Sequence, residues 1–487
     1  MQLSANRNQL VLEKIGGSVF LFFTGMVLMY LVAKLSSKLD TSDMLALVCI
    51  DLLFGICIFF ALASSRSITL DRTAAAYASL LVVWAFLVGD DAIFSFNRVN
   101  PLSSESVEQY KPTAYGQAIF WIICSLFVAV ISLPTVRTWM KTLFSRSNRW
   151  PTLFALLCLI STAWAVQPVY SLAWAFKLLL TIWILALVMQ PDKPEDVRNF
   201  LKAILAMFCF IIIISIAKAI VDPADAFKGN RLAGVVDPTD TSETAGIALI
   251  ICIALYHWGK NKAYLLLAAI SSIVMILGGG KTACVAAFAS CLLFFFLQKR
   301  FKALAIFLLL IGLLAVALYV FTPVGNYYST YSSDQLETFT GRTILWEHAL
   351  PEIKAHLLLG HGYMSEKFYN LNVPGVGNWE VGHMHNAFLS VAYDEGLPGV
   401  FLVGMMCLVT TINLWKAWKQ RPEPEIRILT VAFMALFVCL FLNGLLSTPF
   451  GGRPFGFHLI FLSCVVFSAK IRYGLRQQPA LGTQQGG

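Results

Sequence analysis

The sequence predicts an all-α polytopic membrane protein, and three observations carry that prediction. Hydrophobic residues make up 58% of the chain and charged residues 13%, with a mean hydropathy of +0.72, which leaves no room for a large soluble domain. Apolar runs near the ~20 residues that a helix needs to cross a bilayer recur along nearly the whole length. Membrane strands would instead show short alternating segments, so a closed barrel is set aside. The 36 lysines and arginines outnumber 27 acidic residues for a net charge of +9, yet they sit in short loops between the apolar runs. That placement is the positive-inside bias of membrane proteins, and it excludes a nucleic-acid patch, so no nucleic acid is expected as a partner.

Taken in order, the apolar runs place spans near 15–33, 44–63, 73–94, 114–134, 151–166, 171–189, 200–220, 243–258, 263–279, 282–298, 303–322, 387–415, 428–446 and 456–469. The expectation is about 12–14 transmembrane helices, the smaller figure applying if the close pairs around Gln167 and Gly278 each act as one. The first run, Ile15 to Ala33, lacks a small-residue cleavage site and reads as a retained span. Pro191 to Pro194 marks one loop and Pro422-Glu423-Pro424 another, and the chain shows no convincing internal repeat. The parts are then transmembrane helices with short loops over 1–322, a long loop with short helices over 323–386, C-terminal transmembrane helices over 387–469, and a tail over 470–487. The polar residues after Tyr473 read as disordered.

Orientation follows from the basic residues. With the N-terminus in the cytoplasm, Arg137-Lys141-Arg146-Arg149, Lys299-Arg300-Lys302, Lys416-Lys419-Arg421-Arg427 and Lys470-Arg472-Arg476 all fall inside. The 323–386 loop then faces outward. All eleven cysteines fall in apolar segments, so neither a disulfide framework nor a Cys/His metal spacing is implied.

Against that bias, the outward arginines are informative. Arg98, Arg231, Arg342 and Arg453 all sit in outward loops close to span ends. Arg342 opens a short helix with Leu345, Ala349 and Ile353 on one side, interrupted at Pro351. A planar guanidinium suits bidentate phosphate binding, so these residues either snorkel to lipid headgroups or hold a lipid-linked phosphate. Lys281, in Gly278-Gly279-Gly280-Lys281-Thr282, is a further outward cation. It is not a nucleotide loop: Met275 stands where the pattern needs glycine, and no strand precedes it. Lys177 and Asp51, inside spans, read as structural pairs or water contacts.

Five of the seven histidines, His348, His356, His361, His383 and His385, lie between residues 341 and 386. His383-Met384-His385-Asn386 stands at the mouth of a span, where a neutral imidazole can take a proton from an incoming hydroxyl; its ordinary pKa near 6.5 suits that task. A His-x-His zinc site with Glu380 as third ligand is the weaker alternative. Clustered beside these histidines, the arginines favour a working site over snorkelling.

Four segments together resemble the O-antigen ligase and polymerase superfamily, and most of all the lipopolysaccharide O-antigen ligases: Arg231-Leu-Ala-Gly with Asp-Pro, Gly341-Arg-Thr-Ile-Leu-Trp, Leu359-Gly-His-Gly-Tyr, and His383-Met-His-Asn-Ala-Phe-Leu followed by Glu395-Gly-Leu-Pro-Gly. The likeness covers mainly residues 225–400; the first 150 add only a compatible span pattern. It implies a multi-pass protein of the bacterial inner membrane whose long loop is periplasmic. The implied partners are an undecaprenyl-pyrophosphate-linked glycan donor, a lipid A–core acceptor and membrane lipids, with no cofactor and no metal. Arg231 and Arg342 are implied to hold the donor, with Lys281, Arg98 and Arg453 as further cations, and His385 to be the base, with His383 competing. Lys281 departs from the pattern, since related sequences often carry Arg there. A pyrophosphate leaving group needs charge neutralisation more than protonation, so arginines with one neutral histidine suffice and the attack should invert the anomeric centre. An O-antigen polymerase and a protein O-oligosaccharyltransferase are the nearest alternatives. A secondary transporter or lipid flippase would favour ionisable groups at mid-membrane in paired halves.

Overall fold

The computed structural model of the chain describes residues 144–477 apart from 146–147, 190–193, 229, 235, 322–341, 374–376, 381–382, 421–422 and 452–455. The four predicted spans before residue 140, together with Arg98, Asp51 and Arg453, lie outside the described residues. Those that are described form an all-α membrane fold: α1 (Arg149–Ser161), α2 (Pro168–Val188), α3 (Pro194–Val221), the single turn α4 (Pro223–Ala226), α5 (Pro238–Gly259), α6 (Ala263–Gly278), α7 (Lys281–Leu297), α8 (Phe301–Phe321), α9 (Arg342–Ala355), α10 (Ala387–Lys419), α11 (Pro424–Gly444) and α12 (Gly456–Gln477). Two small antiparallel hairpins interrupt it, β1 (Phe227–Lys228) with β2 (Arg231–Leu232), and β3 (Asn370–Val373) with β4 (Gly377–Glu380).

Each span predicted within the described region has its helix. The close pairs stay separate: a short 3-10 turn, Thr162–Trp164, divides α1 from α2, and left-handed Gly279 ends α6 two residues before α7 begins. Among the described residues four helices are long and apolar enough to cross a membrane, Val197–Val221, Pro238–Gly259, Ala387–Lys419 and Pro424–Gly444, while α6 and α7 are shorter apolar helices.

Two expectations need correction. α9 runs through Pro351 rather than stopping there. Pro351 removes one N–H bond to the carbonyl of Glu347, but both residues are exposed, and Leu345, Ala349 and Ile353 stay buried on the opposite side to hold the helix. The tail is also ordered further than its polarity suggests, since α12 continues past Tyr473 to Gln477.

α5 is the centre of the packing, lying against α3, α6, α7 and α11, with most of its length buried. A second group, α1, α2, α10 and α12, joins it through α11. Hydroxyls within these helices return their protons to carbonyls one turn back, as in Ser290 to Ala286 at 2.7 Å and Thr430 to Ile426 at 2.7 Å, which an apolar surrounding requires. α8 keeps Leu309, Leu310, Leu313 and Val316 exposed, a surface suited to lipid. The cysteines among the described residues are all free.

Candidate functional site

The first two turns of α5 read Pro238-Thr-Asp-Thr-Ser-Glu-Thr, an unusually polar start for an apolar helix, and several candidate residues gather there. Arg231 donates from Nε to the Gly278 carbonyl at 3.0 Å and from a terminal nitrogen to Thr239 Oγ1 at 3.1 Å. The Ser242 hydroxyl donates to the Met275 carbonyl at 3.0 Å and accepts from the Gly280 N–H at 2.9 Å, which fastens the glycine turn to α5. No larger residue fits: a Cβ on Gly278 would lie 2.9 Å from the Pro238 carbonyl oxygen. Lys281, half-buried, opens α7 directly after that turn. A helix, α6, precedes the glycines, so the rejection of a nucleotide loop stands.

Arg342, at the start of α9, is close enough to act electrostatically on Glu243 of α5 and on both His383 and His385; Asp237, just before α5, acts on His383. The fold therefore brings Arg231, Lys281, Arg342, His383 and His385 around one helix end.

The histidine turn is held from several sides. Trp346 donates its indole N–H to the Met384 carbonyl at 2.8 Å, and the Met384 N–H reaches Glu366 Oε2 at 3.3 Å. Met384 itself packs with Leu345, Ala349, Ile353 and Tyr393. Asn386 caps α10, its Oδ1 accepting from Phe388 N at 2.9 Å and Leu389 N at 3.0 Å while its amide donates to the Leu445 carbonyl. Between these anchors His385 takes a left-handed φ of 50°, a conformation that costs a non-glycine residue roughly 1–2 kcal/mol.

The two rings stand 4.0 Å apart between centroids, inclined at 71°. The His385 N–H donates to His383 Nδ1 at 3.3 Å, so the His383 proton resides on Nε2. Among the described residues, neither ring nitrogen of His385 takes a hydrogen bond. The ordinary imidazole range expected from sequence does not hold here. Burial, then the positive charges of Lys367 and Arg342, lower His383 to about 4 despite an opposing pull from Asp237. Burial, then His383 and Arg342, lower His385 to about 2. Both rings are neutral at physiological pH, but as bases they are weakened.

Two of the glycine motifs prove to be architectural. α10 breaks at Gly396, whose φ of 65° and ψ of −158° only glycine adopts easily, and the break frees carbonyls in the turn before it. The Tyr393 carbonyl accepts the His361 N–H at 2.9 Å, the Asp394 carbonyl accepts the Gly362 N–H at 2.8 Å, and the Leu397 N–H returns to the Leu357 carbonyl. The buried Asp394 carboxylate takes two more N–H groups, from Met364 at 2.9 Å and Glu366 at 2.8 Å. Beyond them Tyr363 is fully buried at the corner between α1 and α2, bonded to Ser161 and Ser171. Leu359-Gly-His-Gly-Tyr and Asp394-Glu-Gly are thus the two halves of one lock. Burial also raises the Glu366 carboxyl to about 7.

Sequence reasoning missed Ser242, Glu366 and Trp346. The polar run at 239–244 was a readable signal for the first; Trp346 closes the Gly341-Arg-Thr-Ile-Leu-Trp segment, where it was given no role, and nothing local marks Glu366. His348 is exposed.

Residues 265–404 match the family model described as O-Antigen ligase, a stretch that holds Lys281, Arg342, His383 and His385 but not Arg231. Over 154 residues the chain is 29% identical to the exopolysaccharide production protein ExoQ of Rhizobium meliloti, covering 28% of this chain. The chain spans about a third of that relative's length, 33%. Both likenesses are to polysaccharide-related proteins.

Proposed function

We propose that the protein is a glycosyltransferase of the bacterial inner membrane that moves a preassembled glycan from undecaprenyl pyrophosphate to lipid A–core oligosaccharide at the periplasmic face. The observation that carries this reading is the gathering of Arg342, Arg231 and Lys281 with the His383–His385 pair around the polar end of α5. In the proposed step an acceptor hydroxyl attacks the anomeric carbon, the bond to the diphosphate oxygen breaks, and the leaving diphosphate takes the electron pair. Cations are the main catalytic need, because negative charge grows on the leaving oxygen. Arg342 supplies it beside the histidines; Lys281, Arg98 and Arg453 complete the candidate set. Arg231, bonded to Gly278 and Thr239, also positions the glycine turn ahead of Lys281.

The proton of the attacking hydroxyl goes to a neutral imidazole. His385 is assigned as the base, since His383 Nδ1 already accepts from the His385 backbone and its other nitrogen is protonated. A ring held near 2 is by itself a poor base. A bound diphosphate offsets the Arg342 charge and raises the ring's basicity in part, burial remaining the larger cause.

The ExoQ likeness favours one second reading: a polymerase-type reaction whose acceptor is another lipid-linked glycan. Purified protein in liposomes, given lipid-linked glycan with lipid A–core and a second lipid-linked glycan as competing acceptors, tests both. Glycan on lipid A–core is expected; elongation of the carrier-linked glycan instead would replace the first reading by the second. His385→Ala should bind donor yet lose ~10²–10⁴-fold in rate. Arg342→Ala should weaken donor use by a contact worth roughly 1.5–3 kcal/mol, with Lys a poor substitute. Near-normal turnover by both variants would remove the site from this location.

A further inference from the structure

Near the far end of α9, Glu352 and His356 stand one helical turn apart, both exposed, and His361 follows in the loop; one ligand atom from each lies within 4.8 Å of the others. Among the described residues this is the group of His, Cys, Asp and Glu side chains placed closely enough to share a metal ion. The His356 and His361 rings are 4.2 Å apart between centroids. His361 is the fixed member. Its ring stacks on Tyr393 at 4.1 Å and 11°, and its Nδ1 lies 3.1 Å from the Tyr393 carbonyl oxygen. A carbonyl only accepts, so Nδ1 carries the proton and Nε2 keeps its lone pair. Orientation of an imidazole through its other nitrogen is the usual support of a metal-bound histidine.

We propose that Glu352, His356 and His361 bind one divalent transition-metal ion of the zinc class, clamping the end of α9 to the break in α10. Two imidazoles and a carboxylate suit zinc, whereas calcium and magnesium prefer all-oxygen sets. Bonds of about 2.0–2.2 Å require the three ligand atoms to close by about 1 Å, and the exposed Glu352 and His356 side chains have the freedom to do so. Water would complete the tetrahedron. At 1.5 Å per residue, Glu352 lies about 15 Å along α9 from Arg342, so the ion is separate from the proposed transfer chemistry and does not depend on it. Its effect is structural: it ties the helix that carries Arg342 to the lock that holds the histidine turn.

The full-length protein, purified in detergent and stripped with a chelator, is titrated with Zn²⁺, and bound metal and thermal midpoint are recorded. About one tightly held zinc per chain is expected, with a raised midpoint. His356→Ala should lose that zinc and Glu352→Gln should weaken it at least ~10-fold, while His348→Ala, on the same helix but outside the group, should bind as wild type does. The exposed positions of His356 and Glu352 leave the apo midpoint unchanged. Retention of equal zinc affinity by His356→Ala and Glu352→Gln, or no zinc held above background by the wild type, would overturn the proposal. Loss of zinc in His385→Ala alone would do so too, by placing the ion at the other histidine pair.

Discussion

A histidine beside an arginine pays for its neutrality in basicity, and the site gains a built-in order of events from that exchange. Because burial and Arg342 hold His385 near 2 and His383 near 4, the acid limb of kcat/KM, which reports the free enzyme, should lie well below the ordinary 6.5. The sign is fixed by the chemistry: a base works unprotonated, so rate falls as pH drops through its pKa. At pH 5.5 an ordinary histidine would be about 90% protonated, whereas these rings should remain neutral and kcat/KM nearly unchanged. Arg342→Gln should move the limb upward, only in part, since burial is the larger cause. A wild-type limb at 6.5 would contradict the electrostatics described here. The residues of this site were readable one at a time, as outward cations and a histidine pair. Their depressed pKa values were not, because they arise from burial and then from the charges of Lys367 and Arg342, brought beside the rings only by folding.

At the scale of the element, the break in α10 joins the histidine turn to the rest of the molecule. Gly396→Ala places a Cβ 2.7 Å from the Leu357 carbonyl oxygen and forces a side chain onto a backbone conformation that costs about 1–3 kcal/mol. The purified variant should melt earlier and lose transfer while retaining its helix content; an unchanged midpoint would mean the break is not a constraint. The glycine motifs stand out in the sequence, as two of the segments that carry the resemblance. What could not be seen was that they are paired, since Gly362 and Asp394, or Ser161 and Tyr363, are far apart in the chain. By contrast α9's buried stripe of Leu345, Ala349 and Ile353 was legible, because helical periodicity is local.

For the whole molecule, span positions were the most legible feature, since a long apolar run and its flanking basic residues are properties of the chain itself. Sidedness is the corresponding prediction. A cysteine introduced at Ser333, in the long loop, should react with an impermeant thiol reagent in intact spheroplasts; reaction only after lysis would invert the orientation and with it the donor proposal. The packing of α5 was not legible, because nothing in its sequence names the four helices around it. That arrangement has a mechanical consequence. Thr239 and Ser242 of α5 hold Arg231 and the turn before Lys281, and its Glu243 faces Arg342, so one rod sets the frame for several charges. When bilayer thickness changes and the rod tilts, those charges travel as a set. The disturbance is common-mode: it displaces the charges within the membrane but largely cancels from the spacing between them, on which the reaction depends.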